Sequence, residues 1–123
     1  MRYIKNRILS FKYAFRGIKT LYRETPNAMI QFVLAMVAIL LGLFFHVSKV
    51  EWLVLILVIG GVLSMEAINT ALENLSNFTC KNEIHPTIRK VKDLSAAAVL
   101  IMTIAALAIG ILIFLPKIIL LFS

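Results

Sequence analysis

Acidic side chains are scarce in this chain: six Asp and Glu stand against thirteen Lys and Arg in 123 residues, for a net charge of +7. Cysteine is scarcer still. Cys80 is alone, which excludes a disulfide within one chain and leaves no cysteine pair for zinc. Glycine is too sparse for a phosphate-cradling loop, because the close pair Gly60-Gly61 lies inside an apolar run and neither a P-loop nor a G-x-G-x-x-G is present. A Ser-His-Asp set could be assembled only by picking scattered residues. There is no internal repeat and no low-complexity segment. What the chain has in abundance is apolar surface: 61% of its residues are hydrophobic and the mean hydropathy is +0.95. That composition belongs to a single-domain membrane protein rather than a soluble one.

The excess of positive charge would suit nucleic acid if it were spread over a soluble surface, and it is not. Seven of the thirteen Lys and Arg lie in residues 1–24, and four more, Lys81, Arg89, Lys90 and Lys92, lie between the last two apolar runs. In a three-span arrangement these eleven fall on one side, leaving Lys49 and Lys117 elsewhere. Positive charge marks the cytoplasmic side. The N-terminus and the second loop are therefore expected inside, with Cys80 reduced there and His46 and His85 on opposite sides of the membrane. The first apolar run begins late and carries no small-x-small cleavage pattern after it, so no cleaved signal peptide is expected.

Along residues 1–24, Ile4, Ile8, Phe11, Phe15, Ile18 and Tyr22 recur at 4-3-4-3-4 spacing, with Lys5, Lys12, Arg16, Lys19 and Arg23 mostly opposite. This predicts a basic amphipathic helix lying in the membrane interface or, alternatively, packed on its own bundle. Thr25-Pro26-Asn27 is a helix-start signal, with Thr25 as cap. Spans are expected over 28–45, 50–75 and 94–115. Glu51 and Trp52 mark the outer interface, the loop 77–92 with Asn82 and His85-Pro86 is expected to be turn-rich, and Asp93 is expected to cap the third span. Pro116 is expected to disrupt or end it, leaving a frayed tail. The Ser95-Ala96-Ala97-Ala98 start and Gly60-Gly61 offer small residues for close helix approach.

The stretch 64–93 departs from this ordinary pattern. At 100° per residue, Glu66, Asn69, Glu73 and Asn77 share an arc of roughly 80° on one helix, opposite Ala67, Ile68, Ala71, Leu72 and Leu75. An acidic group near the middle of a span costs about 2.5 kcal/mol or more, so it persists where it faces a bundle interior, a cation or water. The helix is long enough to put both carboxylates at the inner membrane edge, Glu73 nearer the cytoplasm. Carboxylates suit a hard cation such as Mg²⁺ shared with phosphates, a second carboxylate can take a proton from a hydroxyl, and Lys92 can meet phosphate. The bland reading is that these groups only hydrogen-bond across helices and set the packing.

Glu66-Ala-Ile-Asn69-Thr70-Ala-Leu-Glu73 resembles the signature of the prokaryotic integral membrane diacylglycerol kinase family: Glu, two residues, Asn, Ser or Thr, Ala, one residue, Glu. The likeness continues through His85, Lys92-Asp93 and Ala96-Ala97-Ala98-Val99, and covers nearly the whole chain. It implies an all-α membrane protein, an N-terminal amphipathic helix plus three spans, in a bacterial inner membrane. It further implies a homotrimer with composite sites between protomers, and transfer of phosphate from Mg-ATP to a lipid hydroxyl. By the same resemblance Glu66 matches the proton acceptor, Glu73 a metal and ATP contact, and Asn69 its polar neighbour. Glu83, His85, Lys92 and Asp93 match nucleotide-binding positions, and Tyr13, four residues before Gly17, matches a nucleotide-contacting tyrosine. The chain departs from the pattern at Asn77, where the family has an acid. It departs again at Thr25, where the family has a metal-binding Glu, so that Glu24, one residue early, is the candidate ligand. The segment between Glu73 and His85 is one residue longer than usual. Undecaprenol and diacylglycerol are the two candidate lipids; Val50-Glu51-Trp52 and Ile113-Phe114-Leu115-Pro116-Lys117 resemble the Gram-positive-type branch, which favours the polyprenol. The alternative from another class is a non-enzymatic membrane transporter or assembly subunit whose acidic stripe binds protons, cations or a helix.

Overall fold

The computed structural model describes every residue except 82 and 84, so the expectation placed on Asn82 lies outside the described residues. Four helices follow one another: α1 (Arg2–Glu24), α2 (Pro26–Phe44), α3 (Lys49–Cys80) and α4 (Pro86–Leu121). No strand occurs among the described residues. The last three helices are long and apolar enough to cross a membrane. α3 and α4 pack along their length as the main pair, and α1 and α2 lean on α3.

α1 keeps the face predicted from its spacing. Ile4, Ile8, Phe11, Phe15 and Ile18 are exposed, while Leu21 is buried and Tyr13, Ala14 and Gly17 border a groove against Ala67 and Ala71 of α3. The helix thus touches its own bundle on one side and presents its aromatic and aliphatic stripe outward.

α2 begins at Pro26, which is tolerated at the first helical position because its missing N–H has no partner to lose there. Thr25 stands at the cap position as expected, but its hydroxyl does not cap. It lies 2.6 Å from the Thr70 hydroxyl of α3 instead, tying the α1–α2 corner to the third helix.

The α2–α3 corner is tightly made. His46 takes a left-handed conformation (φ 52°), and the Val47 N–H reaches back to the Gly42 carbonyl at 3.2 Å, closing α2 with a Schellman-type bond. Ser48 then starts α3 with a capping box: its hydroxyl accepts from the Glu51 N–H and the Glu51 carboxylate accepts from the Ser48 N–H. Gly42 is required by its neighbour, since a Cβ there would sit 2.7 Å from the Trp52 ring. Val47, Leu55, Ile113 and Phe114 form the buried apolar cluster at this end, with Trp52 and Phe45 against it.

Helices run past the expected limits at both ends. α3 continues beyond residue 75 to Cys80 and closes on Lys81 in the left-handed region (φ 50°). α4 starts at Pro86, so Asp93 lies two turns inside it and caps nothing; His85 is the cap, its Nδ1 accepting from the Thr87 N–H at 3.1 Å. The segment read as a turn-rich loop over 77–92 is therefore mostly helix. Pro86, read as a turn residue, instead starts the helix as proline does at a first position. Pro116 does not end α4 either. It removes one N–H from the ladder, but the Lys117 ammonium donates to the Ile113 carbonyl at 3.2 Å and to the Glu51 carboxylate at 2.7 Å. The helix is thereby held to α3 across the interruption and runs on to Leu121.

Candidate active site

At the opposite end of the bundle from Glu51 and Lys117, the polar residues of α3 are distributed among three neighbours. Glu66 faces α2 and is buried, 3% exposed, with Oε1 accepting from the Gln31 Nε2 at 2.9 Å. Asn69 faces α4: its Oδ1 accepts from the buried Ser95 hydroxyl at 2.8 Å, and its Nδ2 points back to Glu73 Oε1 at 3.4 Å. Thr70 and Asn74 face the α1–α2 corner, where Asn74 donates to Glu24 at 2.9 Å. Asn77 meets α4 again, accepting from the Lys92 ammonium at 2.6 Å. The four-residue stripe is therefore a ladder of contacts, and two residues off the stripe, Thr70 and Asn74, complete it on the other side.

The two carboxylates live in different surroundings. Glu66 is enclosed within a single chain, whereas Glu73, two turns further on, is exposed. The expected phosphate and nucleotide positions are partly gathered. Glu83, His85, Lys92 and Asp93 line one cleft of about 350 Å³ together with Asn77 and Arg89. Tyr13 lies elsewhere, in a groove of about 490 Å³ between α1 and α3 that also touches Thr70 and Asn74, and the Arg16 guanidinium lies over its ring at 5.5 Å. Asn69 and Glu73, on the same helix, line neither opening. Lys92 is bonded to a neutral amide at Asn77, and the cleft it lines carries Arg89 and Lys92 together with Glu83 and Asp93.

Among the described residues no complete cage for a divalent cation comes together. No group of three or more His, Cys, Asp or Glu comes together among the described residues. The donors present are nonetheless of the kind Mg²⁺ takes, since it commonly keeps waters and shares one or two carboxylates with substrate phosphates. Glu73 and Glu24 are both exposed, and Asn74 holds Glu24 against the turn of α3 that carries Glu73. Glu24 and Thr25 both turn to α3, the carboxylate to Asn74 and the hydroxyl to Thr70.

Sequence reasoning missed Gln31, Ser95 as a hydrogen-bonding residue, and Asn74. Gln31 had a legible signal: a polar side chain within an apolar span calls for a partner.

An all-helical, multi-pass membrane protein with one buried and one exposed carboxylate near a polar cleft lined by charges of both signs is the class these features define. The chain matches the prokaryotic diacylglycerol kinase family over residues 12–114, and it belongs to that family of bacterial membrane lipid kinases. It is 35% identical over 108 residues to the undecaprenol kinase of Bacillus subtilis, covering 88% of this chain and 87% of that one. It is also 31% identical over 111 residues to the diacylglycerol kinase of Synechocystis, covering 90% of this chain and 63% of the relative's length. No solved structure matches the chain.

Proposed function

We propose that this protein is a single-domain kinase of the inner membrane, N-terminus cytoplasmic, that transfers the γ-phosphate of Mg-ATP to the hydroxyl of undecaprenol. The observation that carries the reading is the split between buried Glu66 and exposed Glu73 on one face of α3. A lipid hydroxyl and a water-borne nucleotide need different surroundings, and two turns of one helix provide both. Support for the polyprenol over diacylglycerol comes from the Bacillus relative, which is matched over most of its length.

Glu66 orients the lipid hydroxyl and takes its proton as the oxygen attacks the γ-phosphorus; the bond to the bridging oxygen breaks and ADP leaves. Lys92 neutralises charge that shifts onto the phosphates, and His85, Glu83 and Asp93 border the cleft that receives the nucleotide. Tyr13 offers a ring to the base across the α1–α3 groove. Asn69, held by Ser95, steadies Glu73. Glu73 and Glu24 would hold Mg²⁺, which when bound screens the phosphate charge. The site is proposed to be completed in a homotrimer, where a neighbouring copy covers the exposed face of Tyr13 and Glu73.

Parallel turnover assays in vesicles with ATP, Mg²⁺ and either undecaprenol or diacylglycerol test the proposal. Preferential phosphorylation of undecaprenol is expected. Preference for diacylglycerol would reverse the substrate assignment, and no lipid-dependent ATP consumption with either would overturn the kinase reading in favour of a non-enzymatic role.

A further inference from the structure

The amide of Gln31 is only half used. Its Nε2 donates to Glu66, while its Oε1 is buried with no hydrogen-bond partner among the described residues. An ionised carboxylate only accepts, so the nitrogen end of the amide must face it and the oxygen end is left over. Orphaned buried carbonyl oxygens are uncommon and call for a reason.

One donor can appear in this place during a reaction cycle. A carboxyl group that has taken a proton carries an O–H, which the ionised form lacks. We propose that Gln31 is the positioning residue of the proton acceptor, serving Glu66 with one end of its amide before transfer and with the other end after it. This rests on the reading of Glu66 as the base. In the ready state the Gln31 N–H pins one oxygen of Glu66, leaving the second to face the lipid hydroxyl. During transfer the lipid O–H bond breaks, its proton moves to Glu66, and the lipid oxygen bonds to phosphorus as the bridging bond to ADP breaks. The Glu66 carboxyl and the Gln31 amide then each turn about their last torsions, which are broad, roughly two-fold rotors, so that the new O–H faces Gln31 and the Gln31 oxygen accepts from it. When Glu66 gives the proton to water, the amide turns back. No covalent bond of Gln31 changes.

A residue that acts this way affects the chemical step and not the binding of either substrate. Gln31→Met keeps the length and nearly the volume while removing both donor and acceptor. In vesicles of the full chain with undecaprenol and Mg-ATP, it should lower kcat about tenfold, the scale of one lost hydrogen bond in a buried site. Both KM values should stay within about twofold. Gln31→Met combined with Glu66→Gln should be no slower than Glu66→Gln alone, because the two residues act as one unit. If the wild type is active and Gln31→Met keeps its kcat, raises KM instead, or multiplies with Glu66→Gln, the inference falls while the kinase reading stands. If the wild type consumes no ATP with any lipid, the kinase reading falls and takes this inference with it.

Discussion

The two ends of the helix bundle are built on opposite plans. Around Ser48, Glu51 and Lys117, opposite charges pair directly, the helix start is doubly capped, and Phe114, Leu55, Val47 and Ile113 close an apolar cluster beneath them. Around Glu66 and Glu73, amides and hydroxyls stand between the charged groups. Glu66 is held by Gln31, Glu24 by Asn74 and Lys92 by Asn77, and two clefts open beside them. A charge bonded to a neutral partner is held in place without being cancelled, so it remains available to a ligand. The first end is made to stay shut, and the second is made to hold charges ready.

That contrast breaks if charges at the second end prove to be structural. Glu66→Gln should reduce lipid phosphorylation by at least ~10²-fold, as expected for loss of a general base, while the melting temperature and ATP binding persist. A comparable loss of folded protein would place Glu66 with the structural end instead. Glu73→Gln should weaken Mg-ATP binding by on the order of tenfold, the scale of one lost charge-assisted contact, read by titration with nucleotide. Unchanged affinity would remove Glu73 from the metal site.

The shut end should answer in the other currency. Gly42→Val forces the Trp52 ring aside and should cost about 1–3 kcal/mol of stability by overpacking, with kcat per folded molecule retained. Ser48→Ala removes one arm of the capping box and should cost about 1 kcal/mol in denaturant unfolding. The smallest effect is expected from Glu51→Gln, whose pair with Lys117 is part-exposed: a slight fall in thermal stability that high salt reproduces in the wild type. Loss of activity from any of these three, without unfolding, would mean the two ends are coupled.

Periodicity and composition were enough to read four helices, three of them membrane-crossing in length, from the chain, because an apolar stripe or run has little else to do. The lengths were harder. Pro116 breaks a helix by local rule, yet α4 continues because Lys117 and Glu51, 66 residues apart, hold it across the gap. Asp93 looked like a cap because helix-start signals are local, and His85-Pro86 provides an equally good one two turns earlier. Within the site, Glu66, Asn69 and Glu73 were visible from their shared face, but the partner each takes was not. Gln31 and Ser95 are set beside them by packing between helices, and Thr25 satisfies its hydroxyl on Thr70 instead of on its own helix. Such pairings depend on how far one helix is slid and turned against the next.

The α2–α3 corner fixes that slide. With the Gly42 carbonyl, left-handed His46 and the Ser48 box all engaged, the link between the helices has no slack. Gln31 lies fifteen residues before His46 and Glu66 twenty after it, so the corner is the origin from which both are counted. One residue inserted or deleted there would shift α2 by about 1.5 Å and turn it by about 100° relative to α3, carrying Gln31 off Glu66 entirely. Substitutions in this corner can be absorbed as lost stability. A change of length cannot, and it would silence a site more than four turns away without altering a single one of its residues.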